Sequence, residues 1–227
     1  MDFQVLSIFP DLIETYTNES ILERAQEEEH IDVDSIDIRD YSQDKHKKID
    51  DKPYGGGAGM VMKPGPIYRA LQDNNALKEQ NNEKEKTILL SAKGEEFDQR
   101  KAENFSNLET LTLICGRYEG VDQRVSDYMV DDRLSIGEYV LAGGELPALV
   151  VLEATARLVR GVLGNPESLS HESYSQVGEK EQIQSSYPQY TRPREFNGWE
   201  VPEVLLSGNH KKIRQWRKDH SDQNYQD

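Results

Sequence analysis

Ser135-Ile136-Gly137-Glu138-Tyr139-Val140-Leu141-Ala142-Gly143-Gly144-Glu145-Leu146-Pro147 is the stretch on which the fold turns. It holds three glycines and few charges, and it leads straight into the most apolar helix of the chain, expected over residues 145–160. Such a segment is not an ordinary strand throughout. It reads as irregular backbone held in place by its surroundings, with N–H and C=O groups suited to line a pocket for an adenine ring and its ribose. A dinucleotide fingerprint of the Gly-x-Gly-x-x-Gly type is absent. Leu146, Leu149, Val150, Leu152, Leu158 and Val159 cover most of the circumference of the helix that follows. A helix apolar all round is buried on several sides, so it is a core helix or a core helix that also meets a second subunit.

Outward from that stretch, short apolar runs alternate with helical periodicity. Residues 5–9 read as a buried strand ending at Pro10, which suits the first turn of a helix. Leu12, Ile13, Tyr16, Ile21, Leu22 and Ala25 give that helix one apolar face. Residues 31–38 alternate apolar and acidic positions, as a strand with one wet face does. Residues 41–66, rich in Gly, Pro, Lys and Asp, form a long loop, and long loops in compact domains are often functional. A helix begins at 67–71, and a polar connection spans 73–85. Buried strands are expected at 87–90 and 111–115, with a helix around 98–105 between them and another after Gly120. This alternation predicts an α/β domain with a mostly parallel sheet over residues 1–163. Residues 164–180 read as a linker rich in Gly, Ser, Glu and Pro. Residues 181–227 form a small helical C-terminal domain, with a helix expected over 208–220 and a narrow apolar stripe at Ile213 and Trp216.

The 227 residues carry a formal net charge of −15, which by itself argues against a nucleic-acid partner. The distribution matters more. Acids crowd at residues 27–29, Asp32, Asp34, Glu83, Glu85, Glu95 and Glu96. Bases gather at Lys45, Lys47, Lys48 and Lys52, and again at Lys211, Lys212, Arg214, Arg217 and Lys218. Each run is either a solvated face or a contact for phosphate. No stretch approaches the length of a transmembrane helix, and Met1-Asp2-Phe3-Gln4 lacks the basic start of a secretory signal. The single cysteine, Cys115, excludes an intrachain disulfide and a cysteine-only metal site. The expected location is the cytoplasm.

Two further glycine motifs stand out. Gly55-Gly56-Gly57-Ala58-Gly59 could cradle a phosphate, but the Lys-Ser/Thr pair of a nucleotide-triphosphate loop is absent. Gly116-Arg117-Tyr118-Glu119-Gly120 follows the strand ending at Cys115, where open α/β sheets bind ligands. Glu119 is placed there to accept hydrogen bonds from ribose hydroxyls or an amine, unless it is a solvated turn carboxylate.

These segments, with Tyr190-Thr191-Arg192-Pro193 and Leu206-Ser207-Gly208-Asn209-His210, closely resemble the bacterial tRNA (guanine-N1)-methyltransferase family, from Phe3 to about Arg217. The resemblance implies the SPOUT fold, with a deep trefoil knot that binds S-adenosylmethionine in a bent shape. It also implies an obligate homodimer with active sites shared between subunits, tRNA as substrate, and magnesium as a second cofactor without an assigned protein ligand. The target that the resemblance implies is guanosine at position 37, preceded by another guanosine. Carried over by motif, the cofactor pocket comprises Leu90, Gly116, Glu119, Ile136, Gly137, Glu138, Tyr139, Val140, Leu141, Gly143, Gly144 and Pro147. The catalytic arginine falls on Arg157; substrate contacts are expected at Asp50 and Gly59, Asp50 with Asp51 to hold the substrate guanine or a hard cation, and, from the basic run, at Lys211 and Arg214. The catalytic aspartate falls on position 172, where this chain has Glu172 within His171-Glu172-Ser173-Tyr174. Two other departures are Arg160 and Ala58, where the family usually has proline.

The chemistry explains the residue types. Neutral guanine carries a proton on N1, so a carboxylate within hydrogen-bond reach is needed to take it as attack occurs. Negative charge then builds toward O6, where a fixed guanidinium or a metal ion stabilises it. Glu172 is the expected base and Arg157 the stabiliser, with His171 a rival base by adjacency. Alternatives are another SPOUT RNA methyltransferase, or an RNA-binding homologue impaired in catalysis.

Overall fold

The short apolar runs assemble into one sheet. In the computed structural model, which describes residues 1–163 and 187–221, β1 (Asp2–Ser7) leads into helices α1 (Pro10–Thr17) and α2 (Ser20–Glu27) and then β2 (Asp32–Asp37). A 3-10 turn at Ile38–Tyr41 follows. After it come β3 (Asp50–Asp51), β4 (Val61–Met62), α3 (Pro64–Asp73), β5 (Glu85–Glu96), α4 (Gln99–Phe105) and β6 (Thr110–Cys115). Next are α5 (Gln123–Tyr128), β7 (Asp132–Ser135) and α6 (Glu145–Ala156). The five main strands lie in the order β2-β1-β6-β5-β7, and every pairing is parallel.

A parallel sheet is covered on both faces, and the period of two along its strands divides the core accordingly. Phe3, Val5, Ile88, Leu90, Leu111, Leu113 and Cys115 point to one face, among Ile13, Leu22 and the buried side of α6. Leu6, Leu89 and Ile114 point to the other, among Ile67, Ala70, Leu71 and Val125. The α/β class with a parallel sheet is the one read from the sequence.

Several boundaries differ. The helix expected from Pro10 is two, because Ser20 sits at φ +59° and turns the chain between them. The loop at 41–66 contains the antiparallel β3–β4 ladder and gives way to α3 at Pro64. The apolar helix stops at Ala156, four residues short of its expected end. The strand expected at 87–90 runs on to Glu96, and Leu90 and Glu95 both register against Leu134 of β7. The intervening residues bulge out, and Gly94 comes so close that a Cβ there would stand 2.5 Å from the backbone of Leu134. Strand β7 itself was not foreseen, since in Asp-Arg-Leu-Ser only Leu134 is buried.

The chain divides into two units, Met1–Gly164 and Asn165–Asp227. Within the second, β8 (Glu195–Phe196) and β9 (Trp199–Glu200) form a hairpin, followed by α7 (Glu203–Leu206) and α8 (His210–Ser221). The hairpin also escaped the sequence reading, although Asn197-Gly198, both at positive φ, is the turn such hairpins favour. Asn209 caps α8 by accepting from the Lys212 N–H at 3.2 Å. Trp216 of α8 stacks on His220 at 4.1 Å between centroids and meets Tyr190 edge-on. The linker expected at 164–180 lies outside the described residues.

Candidate functional site

The cleft lies at the carboxyl ends of β5, β6 and β7, where parallel strands leave room for ligands. Its volume is about 270 Å³. Eleven of the twelve residues assigned to a cofactor pocket line it. Leu90 comes from β5, and Gly116 and Glu119 from the turn after β6. Ile136, Gly137, Tyr139, Val140 and Leu141 come from the loop after β7, and Gly143, Gly144 and Pro147 from the entry into α6. Glu138 is the exception: it is exposed on the same loop and does not line the cleft.

Close backbone approach explains the glycines. The Gly144 N–H donates to the Gly116 carbonyl at 2.9 Å, and Arg117 bridges Gly143. A Cβ on Gly144 would stand 2.6 Å from the Cys115 Cα. Gly137, at φ +150°, sits against the Tyr139 ring, whose hydroxyl donates to the Ile136 carbonyl at 3.1 Å. The Ser135 hydroxyl ties off the loop's start on the Gly137 carbonyl. The middle of the loop is exposed, Val140 by 87%.

Beneath the cleft lies a polar network. Glu145, 2% exposed, accepts from the Ser7 hydroxyl at 2.7 Å and from Arg117 Nε at 2.8 Å. Ser7 ends β1 and Arg117 follows β6, so the network ties two strand ends to the start of α6. Burial, reinforced by the Glu145 charge, pushes the neighbouring Cys115 thiol well above its ordinary value. That makes Cys115 a packed, unreactive thiol.

Gly59, Asp50 and Arg157 lie in the same unit as the cleft. Gly59, at φ +81°, closes on Glu119, whose Cγ would lie 2.4 Å from a Cβ there. The Glu119 N–H donates to the Met60 carbonyl, so the glycine loop is docked on the cleft turn. Asp50 pairs with Met62, which in turn bridges to Val121 on the cleft wall. Arg157 is the C-cap of α6, about 18 Å along the helix axis from Glu145. One copy of the chain therefore has the cleft and Arg157 at opposite ends of one helix. Glu172 and His171 lie outside the described residues. Lys211 and Arg214 are exposed on α8, and with Lys218 they form a stripe within about 60° of arc. Among the described residues no group of three or more His, Cys, Asp or Glu could hold a metal ion, and no helix is long and apolar enough to cross a membrane.

A larger hollow of about 790 Å³ adjoins the cleft, walled by Leu12, Tyr16, Leu141, Leu146 and Leu149. Apolar side chains from α1 and α6 dominate it, and it shares Leu141, Ala142 and Gly143 with the glycine cleft. The hollow continues an exposed apolar face: Leu12 is 51% exposed and Leu146 63%, with Tyr16 and Val150 beside them. Tyr16 donates to Glu153 across the face, which holds its own proton above the ordinary value.

Sequence comparison agrees over the whole chain. A family model described as tRNA (Guanine-1)-methyltransferase TrmD matches residues 1–227. A tRNA (guanine-N(1)-)-methyltransferase of Clostridioides difficile is 47% identical, with 97% of this chain and 92% of that protein aligned. One of Carboxydothermus hydrogenoformans is 50% identical, covering 97% and 83%, and one of Halalkalibacterium halodurans is 47% identical, covering 97% and 86%. With the glycine cleft, the parallel sheet and a match from end to end, the chain belongs to the tRNA (guanine-1)-methyltransferase family.

Proposed function

We propose that this protein transfers a methyl group from S-adenosylmethionine to N1 of guanosine at position 37 of tRNA, working in the cytoplasm as a homodimer. The observation that carries this reading is the convergence of residues from β5, the β6 turn, the β7 loop and the α6 entry on one glycine-walled cleft. The cleft suits the donor. Leu90, Ile136 and Leu141 offer apolar contact for an adenine ring, and Gly143 and Gly144 let the wall of the cleft pass directly against Arg117 and Cys115, where a Cβ would collide. Glu119 is placed to accept from ribose hydroxyls or the amine. When bound, S-adenosylmethionine supplies an electrophilic methyl group on a sulfonium leaving group.

The chain's own residues supply the rest. Glu172 removes the N1 proton of guanine, and Arg157 stabilises the charge that builds on O6. The cleft aligns the reacting atoms and excludes water. Asp50 and Gly59 border the target base, and the Lys211–Arg214 stripe positions the tRNA through its phosphates. Among the described residues no cluster of three or more acids or histidines gathers that would cage a magnesium ion.

The homodimer reading rests on the exposed apolar face of α1 and α6 and on the position of Arg157. Two copies packed through that face, with α6 antiparallel, would bring Arg157 of each copy toward the cleft of the other. A large exposed apolar patch of this kind marks an interaction surface.

The test is transfer of labelled methyl groups to tRNA transcripts carrying guanosine or adenosine at position 37, with the product nucleoside identified. Labelling confined to the guanosine transcript, as 1-methylguanosine, is expected. Equal labelling of both, or of neither, would overturn the assignment. Glu172→Gln should lower turnover by about a hundredfold or more and leave donor affinity nearly unchanged.

A further inference from the structure

Arg117 sits in a turn where an arginine would ordinarily be solvated, yet its side chain is only 23% exposed. Its guanidinium has three partners among the described residues. Nε donates to buried Glu145 at 2.8 Å, Nη1 reaches the Ala142 carbonyl at 3.4 Å, and the group lies over the Phe9 ring at 4.7 Å from the centroid. Glu145 is committed from the other side by Ser7 at 2.7 Å. The main chain of Arg117 is also fixed, by its N–H to Met62 Sδ at 3.2 Å and by the bridge to Gly143. A Cβ on Gly143 would fall 2.0 Å from Arg117 Nε, so the loop presses directly on the guanidinium. Ala142 and Gly143 are wall residues of the cleft, between Leu141 and Gly144.

A buried carboxylate is costly unless paired, and Glu145 is paired in a way that fixes the orientation of a planar fork. One arm of that fork satisfies the carboxylate, and another holds the carbonyl of the loop. Resting on the proposed methyl-donor site, we infer that Arg117 is a positioning residue. Anchored by Glu145, it sets the course of the Ala142–Gly144 backbone and so the affinity of the cleft for the methyl donor.

Lysine separates positioning from structure. Arg117→Lys keeps a charge for Glu145 but has no second arm for the Ala142 carbonyl. Arg117→Met removes both and leaves Glu145 buried without its cation. Donor affinity by titration calorimetry, KM for donor against kcat, and thermal unfolding without donor are measured on the full chain. R117K is expected to unfold near the wild-type temperature, to bind S-adenosylmethionine about tenfold more weakly, as loss of a charge-assisted hydrogen bond implies, and to keep kcat at saturating donor. R117M is expected to lose donor affinity and thermal stability together. Wild-type donor affinity in R117K overturns the inference, and so does a loss of affinity that tracks only the loss of stability across the two variants. Failure of the wild-type protein to bind the donor overturns the functional reading and this inference with it.

Discussion

Gly144 has a φ of −85°, open to any residue, so its backbone conformation does not demand glycine. What excludes a side chain is the Cys115 Cα, 2.6 Å from where a Cβ would stand. Neither backbone can yield without opening the cleft. Gly144→Ala should therefore weaken donor binding by at least about tenfold and destabilise the fold by roughly 1–3 kcal/mol, as overpacking does. Gly198→Ala, in the hairpin turn at φ +84° with open space around it, should cost about 1 kcal/mol from the left-handed backbone alone and leave donor binding intact. Calorimetric titration and urea unfolding of the two variants check the contrast. Cys115 gives a second prediction at this scale. Burial raises its thiol's pKa, whereas in the unfolded chain the thiol titrates near its ordinary value of about 8.5. Its contribution to stability is whole below that pH and declines as pH rises toward the folded value. Wild-type stability in urea should fall above about pH 8.5 more steeply than that of Cys115→Ala; parallel profiles would contradict it. The glycines that wall the cleft were legible in sequence as irregular backbone, though spacing alone did not mark them as a cofactor site. Arg117 was not, since an arginine between glycines looks the same whether solvated or clamped by a glutamate 28 residues away.

Among the elements, those with a clear period were legible and those built on contacts with a neighbour were not. Strand β6 and helix α4 were close to expectation because their apolar residues announce a face. Strand β7 was missed because it has one buried side chain and owes its conformation to pairing with β5. The extension of β5 beyond Leu90 likewise depends on the close passage at Gly94, which only the folded chain reveals. Gly94→Ala places a methyl group against the Leu134 backbone and should destabilise by roughly 1–3 kcal/mol or more, read from chemical unfolding. Helix α5 starts on a side-chain cap: Asp122 accepts from the Arg124 N–H at 3.0 Å and from its guanidinium at 2.8 Å. Those hydrogen bonds, the Arg124 side chain's first, hold the Asp122 carboxyl below its ordinary value. Its stabilising effect is present above the ordinary carboxylate pKa of about 3.9 and is lost as pH falls through the lowered folded value. Asp122→Ala should cost about 1 kcal/mol near neutral pH, as loss of a helix cap does. The difference from wild type should shrink in acid, and a penalty unchanged at low pH would refute the cap's role.

For the whole molecule, the sequence supported an α/β class but not the order of strands, since periodicity says which face a residue occupies and not which neighbour it meets. The SPOUT-type sheet of this family puts the cleft at one end of α6 and Arg157 at the other. The helix looked apolar all round in sequence, and the fold explains only part of that: Ala148, Leu149, Val151, Leu152 and Ala156 are buried, while Leu146 and Val150 remain exposed on one side. If a second copy covers that side, a complete site combines the cleft of one copy with Arg157 of the other. Leu146→Glu should then yield a monomer by sedimentation, folded but nearly inactive. A sharper test uses two variants that each fail alone, Gly144→Ala for the cleft and Arg157→Met for the arginine, co-expressed with different tags and purified as heterodimers. Composite sites leave one intact site per heterodimer, so turnover at limiting donor should recover to about half the wild-type value per dimer. Sites completed within a single chain would instead leave one defect in each, and such heterodimers would stay as inactive as their parents.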